Sequence, residues 1–333
     1  MQSHTLAERQ QPGTDDRPLW DLIAAARGYT ALLIAHDLKL FPLLGEGPRP
    51  LAEICQALNL ALHPAEALLT TLEALGLLQA QNGHYALTSL AEDALLESSP
   101  TYFGWYLDRE IANEAVFSFT SMNEAVRTDA PLQQRGDRVM FARAMHSMSM
   151  RAALAWPQAV DLSGHRMLLD IGGGSGAHAI GAALRWPHLD VCLFDKDAEV
   201  LKVAEEFLVR YGMQDRIRVR IGDMLKDPLP PADVHLFSAI YHHWPPERCR
   251  VLTDKSYASL QSGGRIIIHE RLFNDDRNGP FTVVALNLLA LLRGEGGRYS
   301  ARAYTDMLQQ AGFTDIEVKP TIGYWSIVTG RKA

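Results

Sequence analysis

The sequence LLDIGGGSGAHAIGAAL, residues 168–184, joins an apolar run to a helical pattern through a cluster of glycines. In a doubly wound sheet, the first turn from strand to helix lies nearest the ligand, beyond the carboxyl ends of the strands. Gly172, Gly173, Gly174 and Gly176 remove side chains from this turn and permit positive φ. We therefore predict a ligand site here, with Gly172 and Gly174 among its contacts.

Strand-like runs continue along the chain, and helical stretches separate the earlier ones. The runs are residues 167–171, 191–195, 217–223, 233–240, 265–272, 315–321 and 324–332. This alternation predicts an α/β fold with a mostly parallel, Rossmann-like sheet and helices on both faces. Only a short connection separates the last two runs. They should pair antiparallel, because parallel strands need a longer crossover.

The glycine turn does not match a phosphate-binding motif. It reads G-G-G-S-G without the lysine of a P-loop, and Asp170 precedes it. An acid that points at the ligand suits a cationic amine better than a pyrophosphate. Asp195, 25 positions further on, ends the next predicted strand and could accept hydrogen bonds from ribose hydroxyls. Asp223 ends a third strand and could accept from an adenine amino group, so we predict S-adenosylmethionine as the cofactor.

The first half of the chain is predicted to be helical, with helices over residues 19–43 and 64–75 and a small hairpin that turns at Asn82-Gly83. Helices followed by a two-stranded wing predict a winged-helix domain. Residues 51–100 contain six acids and no Lys or Arg, so DNA phosphates would be repelled. We therefore expect a structural or dimer-forming role in place of DNA binding.

The composition is that of an ordinary globular protein, and its net charge of −7 disfavours nucleic acid or an anionic membrane as a partner. Three widely separated cysteines predict a reduced, cytoplasmic protein. The polar first residues lack the apolar region of a signal peptide, and residues 1–17 are expected to form a flexible lead-in. The sequence contains no run of about 18 apolar residues, so no membrane-spanning helix is predicted.

The motifs LLDIGGGSG, FDKD, GDM, YHHWPPERC, GGRIIIHE and GRYS followed by LQQAGF together resemble the SAM-dependent O-methyltransferases of the caffeic acid and acetylserotonin (hydroxyindole) type, in their bacterial form. The resemblance covers nearly the whole chain. It implies a class I methyltransferase sheet behind a winged-helix domain that forms a homodimer. The expected organisation is a flexible segment 1–17, a winged-helix dimerisation domain 18–100, a helical linker 101–160 that contributes to the substrate pocket, and a SAM-binding domain 161–333.

The resemblance also implies roles for individual residues. His242 is expected to be the general base, and Glu270 the acid that orients it. The cofactor contacts are expected to be Asp170, Gly172, Gly174, Asp195, Asp223, Met224, Ser238 and Trp244. The chemistry fits this pair, because an imidazole ordinarily titrates near neutral pH and a carboxylate on its second nitrogen fixes the tautomer.

Three positions depart from the family pattern. His243 replaces the aspartate that follows the catalytic histidine, and Ser238 replaces a lysine that some members use. Many members carry a second acid near the segment GGRYS, where this chain has Arg298 and Tyr299; Glu295 is close in sequence and could substitute. The departures weaken the expectation of a phenol acceptor and leave SAM binding unaffected.

The predicted acceptor pocket includes Met145, His146, Met148 and Asn287, although methionines at such positions also serve as core packing. No metal is expected, since the adjacent His242 and His243 should diverge and lack a third ligand. His178, His188 and His269 are expected to be solvated or structural.

The predicted function is methylation of a hydroxyl on a small molecule, such as an aromatic compound or a secondary metabolite. One alternative is methylation of sulfur, nitrogen or carbon on the same fold. A second alternative is a SAM-sensing regulator that uses the winged helix on DNA.

Overall fold

The computed structural model describes residues 13–128, 136–289 and 296–333, and it divides the chain into two compact units, Met1–Leu107 and Asp108–Ala333. Most of the expected flexible lead-in, residues 1–17, lies outside the described residues. The boundary falls inside the helical segment 101–160, because Leu107 is buried in the core of the first unit.

The first unit consists of five helices and a small sheet among its described residues. These elements are α1 (Arg17–Asp37), α2 (Leu40–Gly45), β1 (Arg49–Pro50), α3 (Leu51–Leu58), α4 (Leu62–Ala74), β2 (Leu78–Gln81), β3 (His84–Leu87) and α5 (Ser89–Leu95). The sheet order is β1-β3-β2, with antiparallel pairing throughout. Asn82 and Gly83 both have positive φ, 52° and 78°, as a two-residue hairpin turn requires.

The second unit carries helices around one large sheet. After α6 (Gly104–Ala112), which spans the boundary, its elements are α7 (Phe119–Thr128), α8 (Arg138–Ala155), β4 (Met167–Ile171), α9 (Ala177–Arg185), β5 (Asp190–Asp195), α10 (Ala198–Arg210), β6 (Ile217–Ile221), β7 (Val234–Ser238), α11 (Pro246–Ser259), β8 (Arg265–Arg271), α12 (Phe281–Leu288), α13 (Ala301–Gln310), β9 (Thr314–Pro320) and β10 (Trp325–Arg331). A short 3-10 helix, Tyr241–His243, follows β7.

The large sheet has the strand order β6-β5-β4-β7-β8-β10-β9. Strands β4 to β8 pair in parallel, and β10 is antiparallel to both β8 and β9. The predicted fold class and the antiparallel pairing of the last two strands are therefore confirmed. The order reverses between β4 and β7, so the carboxyl ends of these strands form the switch point at which doubly wound sheets bind ligands.

The strands are apolar because helices cover both faces of the sheet. Leu169, Phe237 and Ile268 are fully buried at its centre. Helices α8 and α9 approach each other closely at Gly181, where a Cβ atom would lie 2.0 Å from the carbonyl oxygen of Ala153. Only glycine permits this approach, which holds α8 against the helix that leaves the glycine turn.

None of the helices in the described part of the chain is long and apolar enough to cross a membrane.

Candidate active site

The glycine turn between β4 and α9 has three residues in the left-handed region. Gly172, Gly174 and Gly176 have φ values of 70°, 54° and 79°. A Cβ atom on Gly173 would lie 2.2 Å from Leu193 Cδ1, whereas a Cβ atom on Gly174 would find nothing nearer than 3.9 Å. The backbone at Gly174 is therefore open, and a side chain there would fill the space that a ligand needs.

Asp170, the fourth residue of β4, is fully buried beneath this turn. Its Oδ2 accepts a hydrogen bond from the Ala179 N–H at 3.1 Å, and its buried Oδ1 has no hydrogen-bond partner among the described residues. Burial raises the pKa of this carboxyl to about 7. A cationic amine would supply both the missing donor and the missing positive charge, so Asp170 fits the amino group of S-adenosylmethionine.

Asp195 ends the neighbouring strand β5 and holds the glycine turn in place. Its Oδ2 accepts from the Gly174 N–H at 3.0 Å, and its Oδ1 accepts from the Asp197 N–H at 3.0 Å. Burial raises the pKa of Asp195, and these two N–H groups offset part of that effect. A carboxylate oxygen has a second lone pair, so both oxygens can still accept from ribose hydroxyls.

Asp223 and Met224 follow β6 at the same edge of the sheet. Asp223 Oδ1 accepts from the Leu225 N–H at 2.9 Å, and the Asp223 N–H donates to Asp227 Oδ2 at 2.8 Å. The Met224 Cε atom would lie 2.9 Å from a Cβ atom built on Gly172. The thioether of Met224 therefore packs against the glycine turn, as an apolar wall for an adenine would.

His242 lies in the 3-10 helix after β7, and Glu270 is the sixth residue of the neighbouring strand β8. The His242 Nδ1 atom lies 3.0 Å from both carboxylate oxygens of Glu270. The side chain of Glu270 is 1% exposed and that of His242 is 15% exposed. The structure therefore brings together the two residues expected to act as base and orienting acid.

Several charges determine the ionisation of Glu270. Burial is the strongest influence on its pKa and raises it, but His242, Arg298 and His243 together lower the pKa below its usual value. Glu270 is therefore ionised at neutral pH. As a charged acceptor it fixes Nδ1 of His242 as the protonated nitrogen, which leaves Nε2 as the basic one.

The segment in which many family members carry a second acid packs on the backbone of His242. The Gly297 N–H donates to the His242 carbonyl oxygen at 3.1 Å, and Asn287 Oδ1 accepts from the Arg298 N–H at 3.1 Å. Asn287, expected in the acceptor pocket, thus holds this segment in place. Glu295, considered as a substitute for the acid, lies outside the described residues.

Trp244 immediately follows the 3-10 helix and is fixed through its carbonyl oxygen, which accepts from the Tyr299 hydroxyl at 2.6 Å. The Arg248 guanidinium lies 5.1 Å from the centre of the indole ring. The Trp244 side chain therefore has the Arg248 guanidinium near its ring, and the Trp244 backbone is held by Tyr299.

Ser238 ends β7, and its hydroxyl belongs to a buried polar cluster that the sequence did not reveal. The Ser238 Oγ lies 2.8 Å from His178 Nε2 and 3.4 Å from His269 Nδ1, while His269 Nε2 lies 3.1 Å from Thr321 Oγ1. Burial lowers the pKa of His178 to about 3 and that of His269 well below its usual value, so both rings are neutral. Neither histidine is solvated.

The residues expected to line the acceptor pocket lie in different environments on α8. Met145 and Met148 are half-buried, and Met148 Sδ lies 3.8 Å from Arg271 Nη1. His146 is fully buried and stacks on Phe207, with 3.5 Å between ring centres. Burial lowers its pKa to about 3, so it is a neutral ring packed between α8 and α10. No group of three His, Cys, Asp or Glu suited to a metal ion occurs in the described ranges.

The site combines an open glycine turn, three carboxylates along the carboxyl edge of the parallel strands and a histidine–carboxylate pair. This combination is typical of S-adenosylmethionine-dependent methyltransferases. A model of the O-methyltransferase domain family matches residues 110–314. The 3-hydroxy-5-methyl-1-naphthoate 3-O-methyltransferase of Streptomyces sahachiroi is 33% identical to the chain, and the match covers 95% of each protein. Human acetylserotonin O-methyltransferase is 29% identical over 90% of this chain and 93% of its own length.

The solved structures agree with the sequence comparisons. Human N-acetylserotonin methyltransferase in complex with SAM matches with a TM-score of 0.81 at 27% identity, over 97% of this chain and 100% of that one. The chain belongs to the O-methyltransferase family, whose enzymes use S-adenosylmethionine as the methyl donor. The resemblance inferred from the sequence motifs is therefore confirmed.

The open backbone at Gly174 can be tested by adding one methyl group. Gly174→Ala should weaken the binding of S-adenosylhomocysteine by about tenfold or more, because the new Cβ atom occupies the ligand's space. Isothermal titration calorimetry measures the effect. Gly263→Ala is the matched control, because Gly263 also has a positive φ of 82° and open surroundings. In each variant the free energy of unfolding should fall by a similar amount, about 1–2 kcal/mol. Equal affinities in the two variants would contradict the assignment.

Proposed function

We propose that the enzyme methylates a hydroxyl oxygen of a small aromatic molecule, with His242 as general base. The observation that carries this proposal is the His242 Nδ1 atom placed 3.0 Å from both oxygens of the buried Glu270 carboxylate. Relatives support it by their names, which specify 3-O-methylation of a hydroxynaphthoate, O-methylation of acetylserotonin and 8-O-methylation in tetracenomycin polyketide synthesis.

The proposed mechanism begins with the tautomer that Glu270 imposes. With its proton held on Nδ1, His242 presents the lone pair of Nε2 and can take the proton of the acceptor hydroxyl. The hydroxyl oxygen becomes a strong nucleophile as this proton leaves. Glu270 then stabilises the imidazolium, because a buried carboxylate beside a new positive charge is strongly favourable.

S-adenosylmethionine, when bound, supplies an electrophilic methyl group on a sulfonium. Asp170 would hold its amino group, Asp195 its ribose hydroxyls, and Asp223 its adenine. Gly172 and Gly174 would provide bare backbone, and Met224 and Trp244 apolar walls. Ser238 is assigned to the same site by its position at the end of β7, where its hydroxyl is fixed by His178.

We assign Met145, Met148 and Asn287 to the walls of the acceptor pocket. The two methionines are half-buried on α8 and can adapt to a planar ring. Asn287 acts by holding the segment that packs on His242. Excluding water from this pocket would strengthen the hydrogen bond between base and acceptor.

Replacing His242 distinguishes an acceptor that is methylated on oxygen from one that is methylated on sulfur. His242→Ala should lower kcat by about 10² to 10⁴-fold in steady-state assays with phenolic acceptors, because a hydroxyl needs a base. Glu270→Gln should lower kcat in the same direction, since a neutral amide cannot stabilise the imidazolium. His188→Ala changes an exposed histidine away from the site and serves as the control.

Binding of S-adenosylhomocysteine should remain intact in His242→Ala, which would exclude misfolding. Full activity of His242→Ala with a phenol that is not ionised at the assay pH would contradict the proposal and favour a thiol or thioether acceptor, which needs little or no base.

We further propose that the first unit is a winged-helix dimerisation domain. Four apolar side chains of α1 are strongly exposed: Leu19 (65%), Trp20 (60%), Leu22 (56%) and Ile23 (50%). Such a patch marks an interaction surface. A second copy of the chain is the occupant we favour over DNA, because residues 51–100 contain no Lys or Arg.

The three free cysteines, of which Cys192 and Cys249 are buried, support a reducing cytoplasmic setting.

Light scattering coupled to size exclusion measures this association. The wild-type chain should elute as a dimer at micromolar concentration, and the double variant Leu22→Asp with Ile23→Asp should be monomeric, because two charges replace the apolar contact. Val209→Asp alters an equally exposed apolar side chain in the second unit and should remain dimeric. A monomeric wild-type protein, or sequence-specific DNA binding in a gel-shift titration, would contradict the assignment.

A further inference from the structure

The segment that carries Arg298 packs on the backbone of the proposed base, His242. The preceding residue, Gly297, donates its N–H to the His242 carbonyl oxygen, and a Cβ atom on Gly296 would lie 2.7 Å from that same oxygen. The Arg298 backbone N–H is fixed by Asn287 Oδ1 at 3.1 Å. This packing leaves the segment 296–298 little freedom, so the position of Arg298 relative to His242 is set by the fold.

The guanidinium of Arg298 is incompletely satisfied. Its Nε atom is buried and has no hydrogen-bond partner, and its side chain forms no ion pair with any described residue. A buried donor without an acceptor destabilises the structure, and more so on a charged group. The positive charge is close enough to Glu270 to contribute to lowering its pKa. Glu270 is already engaged by His242, which leaves Arg298 able to bind another anion.

Arg298 also lines a cavity of about 360 Å³, a volume within the range of small-molecule sites. Its walls include Pro245, Phe273, Asp275, Arg277, Arg298 and Tyr299. The apolar and aromatic members suit a planar ring. Asp275 is paired with Arg302 at 3.1 Å, so the two guanidinium groups of the lining leave an excess of positive charge that suits an anion. Gly296 and Gly297 line the same cavity and pack on the His242 carbonyl oxygen, so the cavity adjoins the backbone of the proposed base.

The charged residues near the base therefore differ from those of many members of the family. Where many members of the family carry a second acid, this chain carries Arg298, and His243 stands where an aspartate is usual. Two or three carboxylates near the base would repel an anionic acceptor. One carboxylate and one guanidinium are balanced, so an anion can approach His242 without a net electrostatic penalty.

We infer that the acceptor is an anionic hydroxylated aromatic compound whose negative charge pairs with Arg298. The inference rests on the proposed function. The charge has two possible sources: a carboxylate on the ring, or the reacting hydroxyl itself when electron-withdrawing substituents make it acidic. In the transfer, the acceptor oxygen forms the new O–C bond as the S–C bond of the sulfonium breaks. The proton of a neutral hydroxyl passes to His242 Nε2, and an ionised hydroxyl releases none.

The first experiment compares acceptors that differ only in charge. Hydroxybenzoates and hydroxynaphthoates are assayed against their methyl esters, and nitrophenols of graded acidity are assayed against unsubstituted phenol. The wild-type enzyme should favour the anionic member of at least one series by about tenfold or more in kcat/KM. Preference within the first series identifies a ring carboxylate as the partner, and preference within the second identifies the ionised hydroxyl.

Variants at Arg298 connect this preference to the residue. Arg298→Met should reduce the anion-to-neutral ratio of kcat/KM by about 10- to 100-fold, and Arg298→Lys should retain part of it, because a lysine keeps the charge without the planar fork. Arg298→Glu should reverse the ratio. The matched control is Arg218→Met, which removes an exposed guanidinium that pairs with Asp190 and does not line the cavity. The control should preserve the wild-type ratio.

A binding measurement keeps the inference testable without turnover. Calorimetry with the enzyme saturated with S-adenosylhomocysteine should show tighter binding of a hydroxynaphthoate than of its ester, and Arg298→Met should abolish the difference. If acid and ester bind equally and all Arg298 variants keep the wild-type ratio, the inference is wrong. If the anions bind in an Arg298-dependent manner but no hydroxyl is methylated, the proposed function fails and the anion site stands.

Discussion

The hydrogen bond from the Gly174 N–H to Asp195 Oδ2 fixes the geometry on which the site depends. It ties the turn after β4 to the end of β5, and a second bond from the Gly172 N–H to the Phe194 carbonyl oxygen, at 2.7 Å, completes the closure. The parallel register of β4 and β5 places both strand ends at one edge, so the buried Asp170 and the half-buried Asp195 face the same ligand space. A bare backbone between two carboxylates suits a cationic adenosyl group.

The proposed base depends on the same sheet through a different strand. Glu270 is a charged residue in the interior of β8, and a buried carboxylate is tolerated only when it is paired. His242 provides that pairing from the 3-10 helix after β7, the parallel neighbour of β8. The packing of Gly296 and Gly297 on the His242 backbone then brings the charge of Arg298 close enough to act on Glu270. The proposed cofactor site, the proposed base and the proposed anion site therefore lie along one edge of the sheet.

The sequence predicted the alternation of strands and helices from its apolar runs, and the pairing of His242 with Glu270 from the family resemblance of its motifs. Apolar runs locate β4 to β8, and motif position places His242 and Glu270. The cluster of Ser238, His178 and His269 was missed, since it depends on the pairing of Ser238 with His269 across two strands. The environment of Arg298 was missed for a similar reason. Its charge was visible in the sequence, but its contact with the base is made by backbone atoms that no residue pattern reports.

Proton release on cofactor binding tests the central claim most directly. Burial holds the pKa of Asp170 at about 7 in the free protein, and a bound cationic amine should lower it, so the carboxyl must lose its proton on binding below that pH. Calorimetry of S-adenosylhomocysteine at about pH 6, in buffers of different ionisation enthalpy, should show release approaching one proton, an affinity that rises towards neutral pH, and no release in Asp170→Asn. Binding by the wild-type enzyme without proton release would contradict the account.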